Sequence, residues 1–518
     1  MNAQIAAAWR ALPGALAGHV LVSACALALG LALSLPLAVL AARHARVRWP
    51  ALALASLVQT VPSLALLALF YPLLLALSAA LRPLIGVVLP ALGFLPALLA
   101  LTLYSMLPIL RTAIAGLTGV DPAVIEAADG VGMTPSQRLW RIEAPLAAPV
   151  VMAGVRTAAV WTIGAATLST TVGQTSLGDY IFAGLQTENW VFVLFGCAAS
   201  AILALAADQL LGLIEAGAGA RDRRRIALGA AGLIAGTLAC LAPAAASGLG
   251  AAPARYVVGA KNFSEQFTLA ALIGDRLKAS GAGVSVRQGL GSAVIFRALA
   301  SGDLDVYVDY SGTLWTNVLG HAGASPPAEM VEDLKQELKA RYGVELLGPL
   351  GFENAYALAM KGDRARTLGV ASIADLAPHA PDLTLGSDLE FLSRPEWASL
   401  RGAYGLSFKA QRSFSPTFMY RALQDGEADV VSAFSSDGRI AADGLTVLAD
   451  PKGALPSYDA VILISPRRVN DARLRQALQP LIGRIDVQAM RQANLMVDRD
   501  QDKQTPAQAA AFLESRLR

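Results

Sequence analysis

The chain is short of the residues that build metal centres and covalent staples. Its three cysteines, Cys25, Cys197 and Cys240, all fall in apolar runs, and none lies beyond residue 253. A disulfide framework or a CxxC metal site is thereby excluded from the second half. The four histidines, His19, His44, His321 and His379, have no metal-ligand spacing, so neither a metal nor another cofactor is expected. A G-x-x-x-x-G-K-[ST] phosphate loop is absent throughout, which leaves the chain without that nucleotide-hydrolysing site. Asp303 and Asp305, or Asp425 and Glu427, read as solvated helix and turn residues rather than paired catalytic acids. No enzyme is expected.

Charge is scarce as well. Only 16% of the 518 residues are Asp, Glu, Lys or Arg, against 55% hydrophobic, and the mean hydropathy is +0.50. Such a chain is too apolar to be wholly soluble and long enough for two or three domains. The net charge of +3 is too small to point to nucleic acid.

What is abundant is uncharged apolar sequence. The windows Val20–Ala42, Trp49–Leu81, Pro83–Leu110, Thr157–Gly178, Asn189–Ala207 and Ile226–Ala254 contain no Asp, Glu, Lys or Arg. A helix needs about 20 apolar residues to cross the hydrocarbon core, so six spans are expected. The second window is too long for one simple helix, and Pro62 and Pro72 within it imply kinks or a break. Leu146–Val155 is expected to extend the fourth helix backwards. Arg43, Arg46 and Arg48 follow the first span, Arg111, Arg138 and Arg141 lie between the third and fourth, and Arg221, Arg223, Arg224 and Arg225 precede the sixth. Six crossings put these clusters on one side, and the positive-inside rule makes that side cytoplasmic. The N-terminus and the C-terminal half are then outside. The sixth run also reads as a signal peptide, with charged, apolar and small-residue parts ending at Ala244-Ala-Ala-Ser247. Its internal position favours a retained helix that tethers the C-terminal half, and cleavage stays open.

Between the third and fourth spans lies the polar stretch Glu126-Ala-Ala-Asp-Gly-Val-Gly132, continued through Ile142-Glu-Ala-Pro145. Ala127 and Ala128 favour helix, Gly130 and Gly132 allow a sharp turn, and Thr134-Pro135 reads as an N-cap with proline at the first helical position. A second short helix over Ser136–Ile142 would present Leu139, Trp140 and Ile142 to one side. The spacing resembles the cytoplasmic coupling loop of bacterial ABC importer permeases, with Ala144 in place of the usual Leu. The resemblance implies that Glu126, Ala127, Ala128 and Gly132 form the knob that docks on a separate ATP-binding cassette ATPase.

From Arg255 the composition becomes that of an α/β protein. Tyr256-Val-Val-Gly is strand-like, Ser264–Lys278 has helical spacing, Val284-Ser-Val-Arg alternates, and Ile295–Ala300 is helical before Asp305-Val-Tyr-Val. The rhythm returns at 383–391 and 427–434. About 265 residues of this kind bury a core most naturally as two lobes, with a ligand in the cleft between them.

Gly259-Ala-Lys-Asn-Phe-Ser-Glu-Gln266, Val308-Asp-Tyr-Ser-Gly-Thr313, Gly351-Phe-Glu-Asn-Ala-Tyr-Ala-Leu358, Glu390-Phe-Leu-Ser-Arg394 and Ala433-Phe-Ser-Ser-Asp-Gly-Arg-Ile440 resemble the substrate-binding proteins of osmoprotectant importers for glycine betaine, choline and carnitine. Gln59-Thr-Val-Pro-Ser-Leu64 and Gly178-Asp-Tyr-Ile-Phe-Ala-Gly-Leu185 are similar to the same family's permeases. By this resemblance Tyr310, Tyr356, Phe434 and Tyr458 form an aromatic box for a trimethylammonium head. Lys261, Thr313 and Arg394 meet a carboxylate. Tyr420 is a rival for the wall at Phe434, where Tyr is the commoner residue. Lys261 beside Glu265 also reads as a surface pair, and Arg394 before Pro395-Glu396 as a local cap.

The chemistry is consistent with that box. A quaternary ammonium has no N–H to donate, so it is held by dispersion and by the negative faces of rings, each worth about 0.5–2 kcal/mol. Four rings supply about 2–8 kcal/mol before binding costs, whereas a micromolar complex needs about 8. Carboxylate contacts must contribute, and the planar fork of Arg394 suits them.

The expected architecture is an α-helical polytopic membrane domain of about six spans followed by a two-lobed α/β periplasmic-binding-protein domain. Its parts are a permease over 1–220 with the coupling loop at 126–145, a tethering helix and linker over 221–252, and an extracytoplasmic binding domain over 253–518. The chain would sit in a bacterial inner membrane, pair as a homodimer, partner an ATPase subunit and import a quaternary amine, without nucleic acid. An ergothioneine importer of the same build, or a ligand-sensing receptor that does not transport, are the alternatives.

Overall fold

Proline and glycine decide where the uncharged windows break into helices. The computed structural model describes residues 3–85, 89–187, 189–250, 256–321, 327–414, 416–499 and 501–517. Its first half forms α1 (Ala3–Arg43), α2 (Ala45–Thr60), α3 (Ser63–Ile85), α4 (Phe94–Thr118), α5 (Pro122–Gly130), α6 (Pro135–Arg138), α7 (Ala144–Ala166), α8 (Gly178–Gln186), α9 (Trp190–Ala220) and α10 (Arg223–Gly250). Among the described residues six helical stretches are long and apolar enough to cross a membrane: Gln4–Arg43, Ser63–Leu81, Phe94–Thr118, Pro135–Val172, Trp190–Ala220 and Arg223–Pro243.

The second window breaks as expected. Val61 turns extended at φ −73° and ψ 125°, because a residue before proline is driven out of the helical region. Pro72, by contrast, lies inside α3. Two expected bounds shift. The first helix starts at Ala3 rather than near Val20, and the third window is shared between the end of α3 and α4, which begins after Gly93 at φ 81°. The backward extension of the fourth helix is found, in α7. The boundary expected at 252/253 lies outside the described residues, as do the side chains of residues 244–250.

By contacts the chain divides into two units: Ala8–Ile181 with Leu194–Gly250, and Met1–Ala7 with Phe182–Val193 and Ala251–Arg518. In the helical unit α4 and α7 approach closely. A Cβ on Gly154 would lie 1.8 Å from Thr112 Oγ1 and 2.8 Å from the Pro108 carbonyl, so glycine is required there. Two of the polar groups at helix depth show how they are held. His19 Nε2 meets the Ile163 carbonyl at 3.0 Å while its Nδ1 takes the Leu177 N–H, and Arg156 Nη2 donates to Asp208 Oδ2 at 2.7 Å between α7 and α9.

The second unit holds two five-stranded sheets. The strands are β1 (Tyr256–Lys261), β2 (Val284–Leu290), β3 (Val306–Tyr310), β4 (Glu345–Glu353), β5 (Tyr356–Lys361), β6 (Thr384–Asp388), β7 (Ala410–Phe414), β8 (Val430–Phe434), β9 (Leu445–Val447) and β10 (Asp459–Ile464). One sheet has the order β2-β1-β3-β10-β4 and the other β7-β6-β8-β5-β9. In the first, β1 lies parallel to β2 and β3, and β10 runs antiparallel to β3 and β4. In the second, β6 lies parallel to β7 and β8, and β5 runs antiparallel to β8 and β9.

The chain thus crosses between lobes twice, from β4 to β5 and from β9 to β10. Central β3 is buried along its whole length and edge β7 is largely exposed, as covered and open strand positions require. Tyr256, Ile462, Phe391 and Leu385 are among the buried core residues. Asp305, expected to be solvated, is buried. It accepts the Val257 N–H at 2.7 Å and pairs with Arg468 at 2.7 Å, a partner too distant in sequence to be foreseen.

Candidate ligand-binding cleft and coupling hairpin

In sheets of this kind, ligands collect beyond the carboxyl ends of the parallel strands, and the expected site residues cluster there. Lys261 ends β1, Tyr310 ends β3 and Phe434 ends β8, while Tyr356 begins antiparallel β5 and Tyr458 immediately precedes antiparallel β10. Register does the rest. Pairing of β5 with β8 sets Tyr356 opposite Phe434, and pairing of β10 with β3 sets Ala460 opposite Tyr310. Tyr310, Tyr356, Phe434, Tyr458, Thr313, Arg394 and Lys261 all line one cavity of about 500 Å³.

The rings form a connected wall. Tyr356 stands 5.0 Å from Phe434 and 5.6 Å, edge-on, from Tyr458 by centroid. Phe263 joins the two ends, 6.2 Å from Tyr310 and 6.4 Å from Phe434, and lines the same cavity. It stands in the Gly259–Gln266 motif but follows β1 as the residue capping the Ser264–Ala279 helix, a place with no strand-end signal. Tyr420 is not among the lining residues. It lies behind Phe434, whose N–H donates to the Tyr420 hydroxyl at 3.2 Å.

The polar groups sort into two sets. Arg394 Nη1 donates to Thr313 Oγ1 at 3.4 Å, its guanidinium lies 5.3 Å from the Tyr356 centroid, and Glu396 is 3.9 Å away. Arg394 is also the N-cap residue of the Pro395–Tyr404 helix, through its backbone alone. Lys261 is not a surface residue beside Glu265. It is 3% exposed and its ammonium pairs with buried Asp309, 5.2 Å from the Tyr310 centroid. Asp388, which caps the Leu389–Ser393 helix by accepting the Phe391 N–H at 2.9 Å, and Asn354, at the β4–β5 crossover, also line the cleft. Sequence reasoning passed over both.

Behind the rings lies a polar layer. The Tyr310 hydroxyl donates to Glu265 Oε1 at 2.6 Å and accepts from Gln266 Nε2 at 2.9 Å. Asn354 Nδ2 and Asn494 Nδ2 donate to the two Glu265 oxygens at 3.1 and 2.9 Å. Burial pushes the Glu265 carboxyl above its usual range, opposed by these hydrogen bonds and one from Ser436. Burial, then the Glu265 charge, raises the Tyr310 phenol well above the ordinary range, so it stays a donor. Asp498, buried and bonded by the Ser264 hydroxyl at 2.6 Å, is pushed up to about 6 by burial.

The hairpin between α4 and α7 is built as its residues suggest. Asp121 caps α5 by accepting the Ala123 N–H at 2.9 Å. Thr134 and Gln137 form a reciprocal capping box, with Pro135 in the first turn. Gly132 turns at φ +79°. Glu126 and Ala127 are exposed on α5 and Ala128 is buried. Val131 and Trp140 project outward at 75% and 73% exposure. The second helix is not separate. α6 passes through a wide π turn at Leu139–Glu143 into α7, because Pro145 has no N–H for the regular ladder.

Helices suited to a bilayer, a polar hairpin presented between two of them, and a two-lobed α/β domain with a ring-lined cleft define a solute-import permease joined to its own binding domain. Comparison with known families makes the assignment specific. Residues 254–515 match the substrate binding domain of ABC-type glycine betaine transport systems, and residues 34–219 match the binding-protein-dependent transport system inner membrane component.

The chain is 29% identical over 461 residues to the ergothioneine transport permease/ergothioneine binding protein of Helicobacter pylori (strain G27), covering 85% of this chain and 78% of that one. It is 39% identical over 197 residues to the choline transport system permease protein of Bacillus subtilis (strain 168), covering 38% and 83%. It is 31% identical over 287 residues to a glycine-betaine-binding protein of Pseudomonas aeruginosa, covering 52% and 91%. The chain belongs to the ABC importer family of the glycine betaine transport type, with permease and binding domain fused. It is an inner-membrane protein whose binding domain is extracytoplasmic, and as an importer component it works with an ATPase carried on a separate chain.

Proposed function

We propose that the chain imports a quaternary-ammonium solute bearing a carboxylate or hydroxyl, such as glycine betaine, choline or carnitine. The observation that carries this reading is the ring wall of Tyr310, Tyr356, Phe434 and Tyr458, closed by Phe263, with Arg394 and Thr313 within the same cavity. Rings hold a cation that has no hydrogen to donate, and a guanidinium fork beside a hydroxyl holds a carboxylate. Two such chains would pair in the membrane. Each hairpin, with Glu126, Ala127, Ala128 and Gly132, would seat in one ATPase. Fusion raises the binding domain's effective concentration at its permease to about millimolar.

Ergothioneine, a betaine of histidine, is the second reading. Asn354, Asp388, Ser292 and Ser413 line the cavity in addition to the rings and the carboxylate set, and an imidazole-thione ring would use such groups. The relative matched along most of this chain carries ergothioneine in its name. Calorimetric titration of the full chain in detergent with glycine betaine, choline, carnitine, proline betaine and ergothioneine decides. Micromolar binding of one, lost in Tyr310→Ala, names the cargo, and silence towards all five would sink the quaternary-amine reading. Copurification of an ATPase separates an importer from a sensing receptor.

A further inference from the structure

Two of the cage tyrosines stand on buried acids. Tyr310 donates its hydroxyl to Glu265 at 2.6 Å, and Tyr458 donates its own to Glu396. Glu265 and Glu396 are 3% and 2% exposed. Each occupies the second position of a helix, Ser264–Ala279 and Pro395–Tyr404 respectively, where the first-turn N–H groups favour a negative charge. The other partners of both acids donate as well: Asn354 and Asn494 to Glu265, and Thr316 to Glu396 at 3.1 Å.

The charges around the cleft make this arrangement informative. Lys261 and Arg394 lie 5.2 and 5.3 Å from the Tyr310 and Tyr356 centroids, and either would repel an incoming ammonium. Asp309 answers Lys261, and Glu396 faces Arg394 at 3.9 Å. Glu265 has no such counterpart: among the described residues no basic side chain pairs with it, and its contacts are a phenol, two amides and a serine. A phenol that donates to a carboxylate has a more negative ring face, and the carboxylate's own field reaches past a ring that water does not enter. If the acids only fixed the ring planes, a neutral acceptor such as glutamine would serve equally.

We propose that Glu265 and Glu396 are positioning residues that place negative charge behind the Tyr310 and Tyr458 rings, so that the cage selects a positively charged head over a neutral head of the same shape. The proposal rests on the quaternary-ammonium reading and adds to it the source of the selectivity.

The test uses pairs of ligands that differ only in nitrogen against carbon: glycine betaine with 3,3-dimethylbutanoate, and choline with 3,3-dimethyl-1-butanol. The full chain, reconstituted in nanodiscs, is titrated with each. The native protein is expected to prefer the charged member. Glu265→Gln is expected to cut that preference about tenfold while the affinity for the uncharged 3,3-dimethyl-1-butanol shifts less than about twofold. Equal loss of both members marks the acid as structural and overturns the proposal, as does an unchanged preference. Glu396→Gln carries the same test independently if Glu265→Gln loses its thermal transition. Failure of the native protein to bind any charged member is a different result, which removes the quaternary-ammonium reading itself and this inference with it.

Discussion

Arg43, the last residue of α1, holds both carboxylate oxygens of buried Glu143 with one guanidinium nitrogen, at 2.9 and 2.7 Å. Arg138 reaches the same carboxylate at 2.8 Å and Asp129 of α5 at 2.6 Å. The hairpin between α4 and α7 is therefore tied to the end of α1 through one shared acid. Removing it leaves Arg43 without its carboxylate and Arg138 with Asp129 alone, so the tie between α1 and the hairpin is cut. Glu143→Ala is expected to lower solute uptake at least about tenfold while ligand affinity changes less than about twofold, since the cleft is built from other residues. Proteoliposome uptake and titration of the same preparation check it. Uptake at the native rate would show that the tie does not transmit force.

The turn at Gly132 gives a second, sharper prediction. At φ +79° with nothing within 4 Å of an added Cβ, Gly132→Ala meets backbone strain of about 1 kcal/mol rather than a clash. The hairpin should persist with its angle altered. Glu126→Arg changes only an exposed charge on α5. Both variants are expected to retain ligand binding and to lose ATPase copurification and uptake. Normal copurification in both would place the docking surface elsewhere.

Arg394 separates the candidate solutes. Lysine keeps the charge but loses the planar fork, so Arg394→Lys should weaken a carboxylate ligand about tenfold. Choline, which has no carboxylate, should change less than about twofold. Parallel titrations with glycine betaine and choline read this directly. Equal weakening of both would assign Arg394 to lobe closure, through Thr313 and Glu396, rather than to the ligand.

How much of this was legible in the sequence depends on whether the partner was local. The spans, the break before Pro62 and the Thr134 cap depend on residues within one helical turn of each other, and all were readable. So were β1, β3 and β8, whose apolar runs end at the cleft. Strand β4 was not, because Gly348, Pro349 and Gly351 interrupt its alternation. The four expected rings came from the family resemblance. Phe263 was missed because a helix cap carries no periodic signal. Asp305 was misread, and the rival surface reading of Lys261 fails, for one reason: their partners, Arg468 and Asp309, lie 163 and 48 residues away. Glu265 needs Asn494, 229 residues distant. A buried charge declares itself only when the fold brings its answer.

Asp498 supplies a pH dependence with a definite sign. Burial raises its carboxyl to about 6 from an ordinary 3.8, so between those values the folded protein holds a proton that the unfolded chain releases. Stability from this group is therefore fully present below about pH 4 and is lost as pH rises through 6. Two pK units correspond to about 3 kcal/mol by pH 7.5. Nearby Arg439, which pairs with Asp437 at 2.7 Å, works against the shift without cancelling it. Asp498→Asn removes the ionisation and keeps an oxygen for the Ser264 hydroxyl. By scanning calorimetry of the full chain, the binding-domain transition of this variant should lie about 5 °C above the native one at pH 7.5 and converge on it only below about pH 4. A variant less stable than the native protein at pH 7.5 would mean that attraction to Arg439 outweighs burial, and that Asp498 is ionised as part of an Asp437–Arg439–Asp498 cluster throughout the physiological range.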